Sequence, residues 1–223
     1  LAVIPHERRI LHVLPREFMV DDQEGVREPL GMSGNRLEVN VHVITGAVTS
    51  AQNIIKSVNR AGLDVVDIIL QPLASSEAVL SAEERELGVA MVDLGGGTTD
   101  LAIFLDGSIR HTAVLPIGGQ NLTKDLAIGL LTSQTDAEKI KVQHGIARTE
   151  LVHGHQMVEV PSVGDRPPRQ FTRRDIAEIL EPRVEEMFDL VKREIVRAGY
   201  EGMLGAGVVI TGGKVSRSVL SPS

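Results

Sequence analysis

Cysteine is absent from the 223 residues, which excludes a disulfide framework and any metal site built on thiolates. Tryptophan is absent too, and one tyrosine with four phenylalanines makes an aromatic share of 2%, too little for a surface that stacks nucleobases. The net charge of -7 makes the chain a poor match for nucleic acid, so no nucleic-acid partner is expected. No apolar run approaches the roughly 18 residues of a membrane-spanning helix. What is plentiful is core material. Hydrophobic residues make up 42%, enough for one large domain or two modest ones.

The most informative run is V-D-L-G-G-G-T-T-D, Val92 to Asp100. Apolar stretches precede it (Leu87 to Val92, interrupted by Gly88) and follow it (Leu101 to Leu105), so the glycines join strand to strand. Gly95, Gly96 and Gly97 free the backbone for conformations closed to other residues and bring N–H groups near a ligand. Consecutive N–H groups in one concavity make a nest for an anion, phosphate above all. Thr98 and Thr99 add hydroxyl donors, and Asp93 is placed to hold a hydrated Mg²⁺ beside the phosphate. The pattern is a phosphate-2 hairpin. A Walker loop would need a lysine after the glycines, and a dinucleotide fingerprint would need a helix after them. A plain tight turn has no use for two aspartates flanking three glycines and two threonines.

Upstream, Arg9 to Asp21 and Arg36 to Thr45 alternate apolar and polar residues as half-buried strands do, with Asp22 to Asn35 as the loop between them. Thr49 or Ser50 is expected to cap a helix with Ile54, Ile55 and Val58 at helical spacing, stopping at Gly62. A strand from Val65 to Leu70 completes an α+β unit of about seventy residues, a size able to fold alone. This unit shows no catalytic constellation. His12 and His42 fall at alternating strand positions and read as sheet-face residues, not ligands.

Downstream, Asp106-Gly107 predicts a hairpin turn before a strand over Ile109 to Leu115. Gly118 and Gly119 open a helix bearing Leu122, Leu126 and Leu130; they either bring its first N–H groups towards phosphate or simply make the turn. Thr135 and Glu138 read as a capping box for the next helix, with Gly145 as C-cap. The other reading puts Glu138 and Lys141, three apart on one face, at a ribose and an adenine. After the Val160 to Gln170 loop, Thr172 caps a long helix with an apolar stripe from Ile176 through Met187 and Phe188 to Ile195. Pro182 lies inside it and predicts a kink or a division in two. The opposite face, with Arg183, Glu185, Glu186, Asp189, Lys192 and Arg193, reads as solvated. Gly207 to Thr211 reads as a buried strand ending in the paired glycines Gly212 and Gly213.

With these residues in view the chain resembles the actin, heat-shock chaperone and sugar kinase ATPase superfamily, and within it the FtsA family of bacterial cell-division proteins. The D-L-G-G-G-T-T-D run marks the superfamily. The family is marked by the loop P-S-V-G-D-R-P-P-R at Pro161 to Arg169 and by I-L-E-P-R at Ile179 to Arg183. The likeness extends from I-L-H-V-L-P-R-E-F at Ile10 to Phe18 through D-A-E-K-I-K-V at Asp136 to Val142 as far as V-I-T-G-G at Val209 to Gly213.

The resemblance implies a mixed α/β, actin-like ATPase fold, incomplete: an IC-type α+β subdomain over residues 1–71 and a IIA/IIB-type lobe. Residues 72–87 correspond to the last helix of IA, 88–129 to IIA, 130–190 to IIB and 191–213 to the return of IIA. An internal piece of a longer protein is implied, without the phosphate-1 region and the C-terminal membrane helix; Lys214 to Ser223 reads as an atypical tail. The implied ligands are ATP and Mg²⁺, with Glu138 and Lys141 matching an A-E-x-x-K motif shared with MreB, and with Gly212 and Gly213 beneath the adenine. Arg183 and Glu186 match positions that contact the C-terminal tail of the tubulin-like protein FtsZ, and Arg169 matches one that affects self-association. The implied function is to assemble into actin-like filaments that link the FtsZ ring to the membrane and recruit later division proteins through the IC-type subdomain. Intact members work at the cytoplasmic face of the inner membrane at the division site, attached only through the missing helix. Any hydrolysis is expected to be weak, since no residue is a persuasive general base. The alternatives are an FtsA-like pilus or microcompartment assembly ATPase and a small-molecule kinase of the same superfamily.

Overall fold

The computed structural model describes residues 4–164 and 166–213; Asp165 of the proline–arginine loop and the expected tail at 214–223 lie outside the described residues. The first elements are β1 (Arg8–Val20), β2 (Gln23–Val26), β3 (Leu37–Ala47), α1 (Val48–Arg60), α2 (Gln71–Val79) and α3 (Ala82–Leu87). β4 (Val89–Leu94), β5 (Thr99–Leu105), β6 (Ser108–Leu115), α4 (Gly119–Gly129) and α5 (Gln134–His144) follow. After a 3₁₀ turn at Thr149–Leu151 come β7 (Met157–Val160), β8 (Arg169–Thr172), α6 (Arg173–Arg197) and β9 (Val208–Thr211). Two compact units emerge. One takes in the described residues up to Ala90 with Ala102–Thr112 and Leu204–Gly207; the other takes in Met91–Leu101, Ala113–Met203 and the described residues from Val208 on.

In the first unit, β1 pairs antiparallel with β3, setting Val13 opposite Val43 and Val20 opposite Leu37, in a sheet ordered β2-β1-β3. Pro15, which has no N–H for a ladder, sits at a register shift, where a strand tolerates proline. Four expectations fail here. The segment 22–35 is not all loop: β2 lies in it, because Asp21 (φ 52) turns the chain back and its carboxylate receives the Asn35 and Arg36 N–H groups, each at 2.9 Å. Neither Thr49 nor Ser50 caps α1. Its N-cap is Ala47 with no side-chain bond, and the orphan Val48 N–H donates to the Glu7 carbonyl at 3.0 Å, a backbone acceptor distant in sequence. Val65 to Leu70 forms no strand; side chains take its donors instead, Asp67 bonding the Ile68 N–H at 2.7 Å and His12 Nε2 the Leu70 N–H at 3.0 Å. The helix expected over residues 72–87 is broken in two at Leu80, and Ser81 with Glu84 makes a capping box that starts α3.

The second sheet runs β6-β5-β4-β9. Val89 to Val92 and Leu101 to Ile103 have no solvent exposure, as the two apolar runs predict. Asp106 (φ 53) and Gly107 (φ 74) make the predicted two-residue turn, both with the positive φ that a type I′ hairpin requires. β9 departs from its reading: it is an edge strand, and its residues are half-buried or exposed, not buried.

The core of the second unit packs Leu126 and Leu130 of α4, Ala137 and Ile140 of α5, Val158 and Val160 of β7, and Ile176 and Leu180 of α6. Each large aliphatic side chain so buried contributes about 1.5–3 kcal/mol. α6 is one 25-residue helix, not two, with Pro182 in its interior and a Thr172–Asp175 capping box at its start. The cap of α5 also differs from the reading. Ser133 accepts from the Asp136 N–H at 3.1 Å, so Thr135 and Glu138 make no capping box and Glu138 is released for other work.

Candidate functional site

β4 delivers Asp93 to the glycine turn and β5 carries Asp100 away from it, both side chains almost fully buried at 4% and 7% exposure. Burial first, and then the Asp93 charge, pushes the Asp100 carboxyl above its ordinary range; a hydrogen bond with Thr98 opposes this. Two carboxylates and a threonine hydroxyl thus share one small region at the foot of the turn. Thr99 is fully buried and spends its hydroxyl proton on the Ile117 carbonyl at 2.8 Å, tying the turn to the approach of α4.

Gly95 acts by close approach, since a Cβ there would lie 2.9 Å from the Thr98 carbonyl oxygen, and the expectation of special backbone angles is corrected: none of Gly95, Gly96 and Gly97 has a positive φ. The Gly95 N–H bonds the Thr98 carbonyl at 2.9 Å. The Gly95 and Gly96 carbonyls receive the first N–H groups of α4, from Gly119 at 3.0 Å and Gln120 at 2.7 Å. A Cβ on Gly118 would lie 2.8 Å from both of those carbonyl oxygens, which explains glycine there. The turn and the helix N-terminus therefore form one hydrogen-bonded cradle. Gly96 and Gly97 are different: an added Cβ would meet only the Gln120 amide, at 4.0 and 3.8 Å, so the chain's own packing does not demand glycine. The far pair divides in the same way. Gly212 (φ 123) passes over β4, where a Cβ would sit 2.4 Å from the Leu94 carbonyl oxygen, whereas nothing lies within 4 Å of one on Gly213.

Glu138 and Lys141 of α5 form an ion pair at 2.7 Å facing α4. Lys141 Nζ also donates to the Gly119 carbonyl at 2.9 Å and to Thr123 Oγ1 at 2.7 Å, and Thr123 donates to Glu138. Sequence reading missed Thr123, and it noted Asp100 as a flanking aspartate without giving it a role. A usable signal existed for Thr123, a polar residue one turn beyond Gly119 on the helical face that follows the glycine turn.

The three partner candidates lie apart from this cluster in sequence. Arg183 bonds Asp125 of α4, from Nε to Oδ2 at 2.6 Å and from a second guanidinium nitrogen to Oδ1 at 3.2 Å, and it also pairs with Glu186. It is a bridge between α4 and α6, not part of a merely solvated face. Arg169 donates to the Leu130 carbonyl, lies 5.2 Å from the Phe171 ring centroid and lines a groove of about 520 Å³ with Ala127, Leu131, Val163 and Pro167. Among the described residues no helix is long and apolar enough to cross a membrane.

The family model described as "Cell division protein FtsA" matches residues 90–218. The chain belongs to the FtsA family. A second family model, "SHS2 domain inserted in FTSA", matches residues 1–45. Cell division protein FtsA of Pseudomonas aeruginosa is 54% identical over 212 residues, covering 95% of this chain and 51% of the relative. The chain thus spans about half the length of the curated relatives it matches. Among solved structures, the PilM-PilN type IV pilus biogenesis complex is similar with a TM-score of 0.66 at 17% identity, covering 95% of this chain and 51% of that one. MreB5 of Spiroplasma citri bound to ADP is similar with a TM-score of 0.53 at 22% identity, covering 75% and 55%. These likenesses show the actin-like ATPase fold expected from the hairpin and the helix motifs.

Proposed function

We propose that this FtsA-family chain binds Mg²⁺–ATP against the exposed side of the glycine turn, at Gly96 to Thr98, and that nucleotide binding governs assembly into actin-like filaments. The observation that carries this reading is the contrast among the glycines. Gly118 is forced by the chain's own carbonyls, whereas Gly96 and Gly97 are exposed and meet little of the chain, so their backbone is open to a ligand. The donor set fits the ion. Buried Asp93 and Asp100 offer hard oxygen ligands, two carboxylates beside the turn. That suits Mg²⁺, which keeps several waters and binds through one or two carboxylates plus phosphate. A bound Mg²⁺ would neutralise phosphate charge.

In this reading Asp93 anchors the ion, Thr98 gives its hydroxyl proton to Asp100 beside it, and Gly96 and Gly97 let the phosphates approach the turn. Glu138 and Lys141 lie on the ribose and adenine side, and Gly212 and Gly213 leave flat backbone beneath the base. No residue is assigned as a general base, so any hydrolysis would be weak. Residues 1–71 act as the IC-type subdomain towards later division proteins, 72–87 as the last helix of IA, 88–129 and 191–213 as IIA, and 130–190 as IIB. Arg183 and Glu186 meet the FtsZ tail, Arg169 lies at the self-association surface, and the assembled protein links the FtsZ ring to the cytoplasmic face of the inner membrane. Support for the cell-division setting comes from family membership. Support for the nucleotide comes from a fold neighbour, MreB5 of Spiroplasma citri, which is bound to ADP.

The test is Asp93→Ala in a full-length family protein carrying this segment. Mg²⁺–ATP binding is expected to disappear because the ion and its bridged phosphate lose their anchor. Unchanged affinity would overturn the assignment of the turn.

A further inference from the structure

Thr123 is 8% exposed, and three groups converge on its hydroxyl. Lys141 Nζ donates to it at 2.7 Å, Glu138 accepts from it, and the Gly119 carbonyl oxygen lies 3.1 Å away. A threonine hydroxyl has one proton to give. The Gly119 carbonyl already receives a hydrogen from Lys141 at 2.9 Å, so the hydroxyl proton goes to the Glu138 carboxylate, the stronger acceptor. Lys141 then has its three N–H groups engaged, by Gly119, Thr123 and Glu138. Its side chain is 9% exposed and has no donor left for a ligand, whereas Glu138 at 35% is the accessible member of the set. A closed ring of hydrogen bonds therefore fixes one partly exposed carboxylate against α4.

An ionised carboxylate only accepts, so the ligand group it suits is a hydroxyl donor, above all a vicinal diol. We propose that Thr123 is a positioning residue: its hydroxyl holds Glu138 where it accepts from the ribose hydroxyls, and so selects ribonucleotides over 2′-deoxyribonucleotides. This rests on the proposed placement of Glu138 on the ribose side of bound nucleotide. Without the Thr123 hydroxyl, Glu138 keeps Lys141 but loses the donor that sets its rotamer, and a donor–acceptor contact with the sugar fails on small misplacements.

The experiment compares Thr123→Val, which keeps the shape and drops the hydroxyl, with Thr123→Ser, which keeps the hydroxyl. Both are made in a full-length family protein carrying this segment, and affinities for ATP and 2′-deoxy-ATP are measured beside thermal melting. The wild type and the serine variant are expected to prefer ATP by about tenfold or more, as sites built to bond a hydroxyl do. The valine variant should lose that preference while its affinity for 2′-deoxy-ATP hardly changes. A valine variant that weakens both nucleotides by one factor and melts earlier would show a merely structural threonine and overturn the proposal. Equal wild-type affinity for the two nucleotides would instead overturn the placement of Glu138 at the ribose, and a wild type that binds neither would overturn the nucleotide reading itself.

Discussion

Arg183 of α6 grips Asp125 of α4 through two hydrogen bonds, at 2.6 and 3.2 Å, although 58 residues separate them in the chain. The Asp125 bond, burial and the nearby carboxylates act on the guanidinium together, and the net effect raises its pKa above the ordinary value. This changes what charge reversal at the proposed FtsZ-binding position should do. An exposed pair is worth under about 1 kcal/mol, but a two-point arginine clamp at partial burial is worth more. Arg183→Glu also sets three carboxylates together. It is expected to destabilise folding by about 1–2 kcal/mol, and Asp125→Arg in the same chain should recover most of that. Chemical denaturation of the two variants measures both effects. If the face takes an acidic peptide, the double variant will fold normally yet bind the FtsZ tail at least about tenfold more weakly, a loss of about 1.4 kcal/mol. Met187, 4% exposed, contributes nothing to that surface directly.

The glycines supply a second expectation. Gly118→Ala drives a Cβ to 2.8 Å from two backbone oxygens and must separate the turn from α4, costing about 1–3 kcal/mol of stability. Gly97→Ala meets only ordinary contact at 3.8 Å, so stability should stay within about 0.5 kcal/mol. If phosphate occupies that space, ATP affinity falls in the Gly97 variant despite intact folding. Melting and nucleotide titration together decide this, and undiminished affinity in the Gly97 variant would remove phosphate from the turn.

Acid sensitivity is expected from His42. The Arg16 guanidinium donates to its Nδ1 at 2.9 Å, and its Nε2 lies 3.1 Å from Thr112 Oγ1. A guanidinium has no acceptor, so Nδ1 is unprotonated and Nε2 carries the hydrogen. Burial, then Arg16 and His111, hold the ring below its ordinary value of 6.5. A histidine whose folded pKa lies below its unfolded one stabilises the fold fully above the unfolded value, and that contribution is lost as pH falls through 6.5 towards the folded value. Unfolding free energy measured across this window should decline less steeply in His42→Gln than in the wild type. Parallel slopes would show that His42 plays no part.

Much of the site was legible because it is local. Three glycines between apolar runs, an Asp-Gly dipeptide and leucines at helical spacing act within a few residues, and backbone sterics turn them directly into turns, strands and a helix face. The Thr172–Asp175 box was half legible for the same reason: the cap was read, its acidic partner was not. The errors gather where a donor had a choice of acceptors. Thr49, Ser50 and Thr135 have the chemistry of caps, yet α1 starts on the Glu7 carbonyl and α5 on Ser133.

The sequence by itself determined the strand–turn–strand of residues 89–105, the amphipathic α4 and α6, and the carboxylate and hydroxyl chemistry offered beside the glycines. Only the tertiary structure decided that Val65 to Leu70 would give its N–H groups to side chains, that Gly118 serves two carbonyls more than twenty residues upstream, and that Glu138 leaves capping to join Thr123 and Lys141. The reason is geometric. Periodicity records which face of an element is apolar, but a buried donor bonds whichever acceptor the fold brings within about 3 Å, and that distance is not written in the spacing of residues.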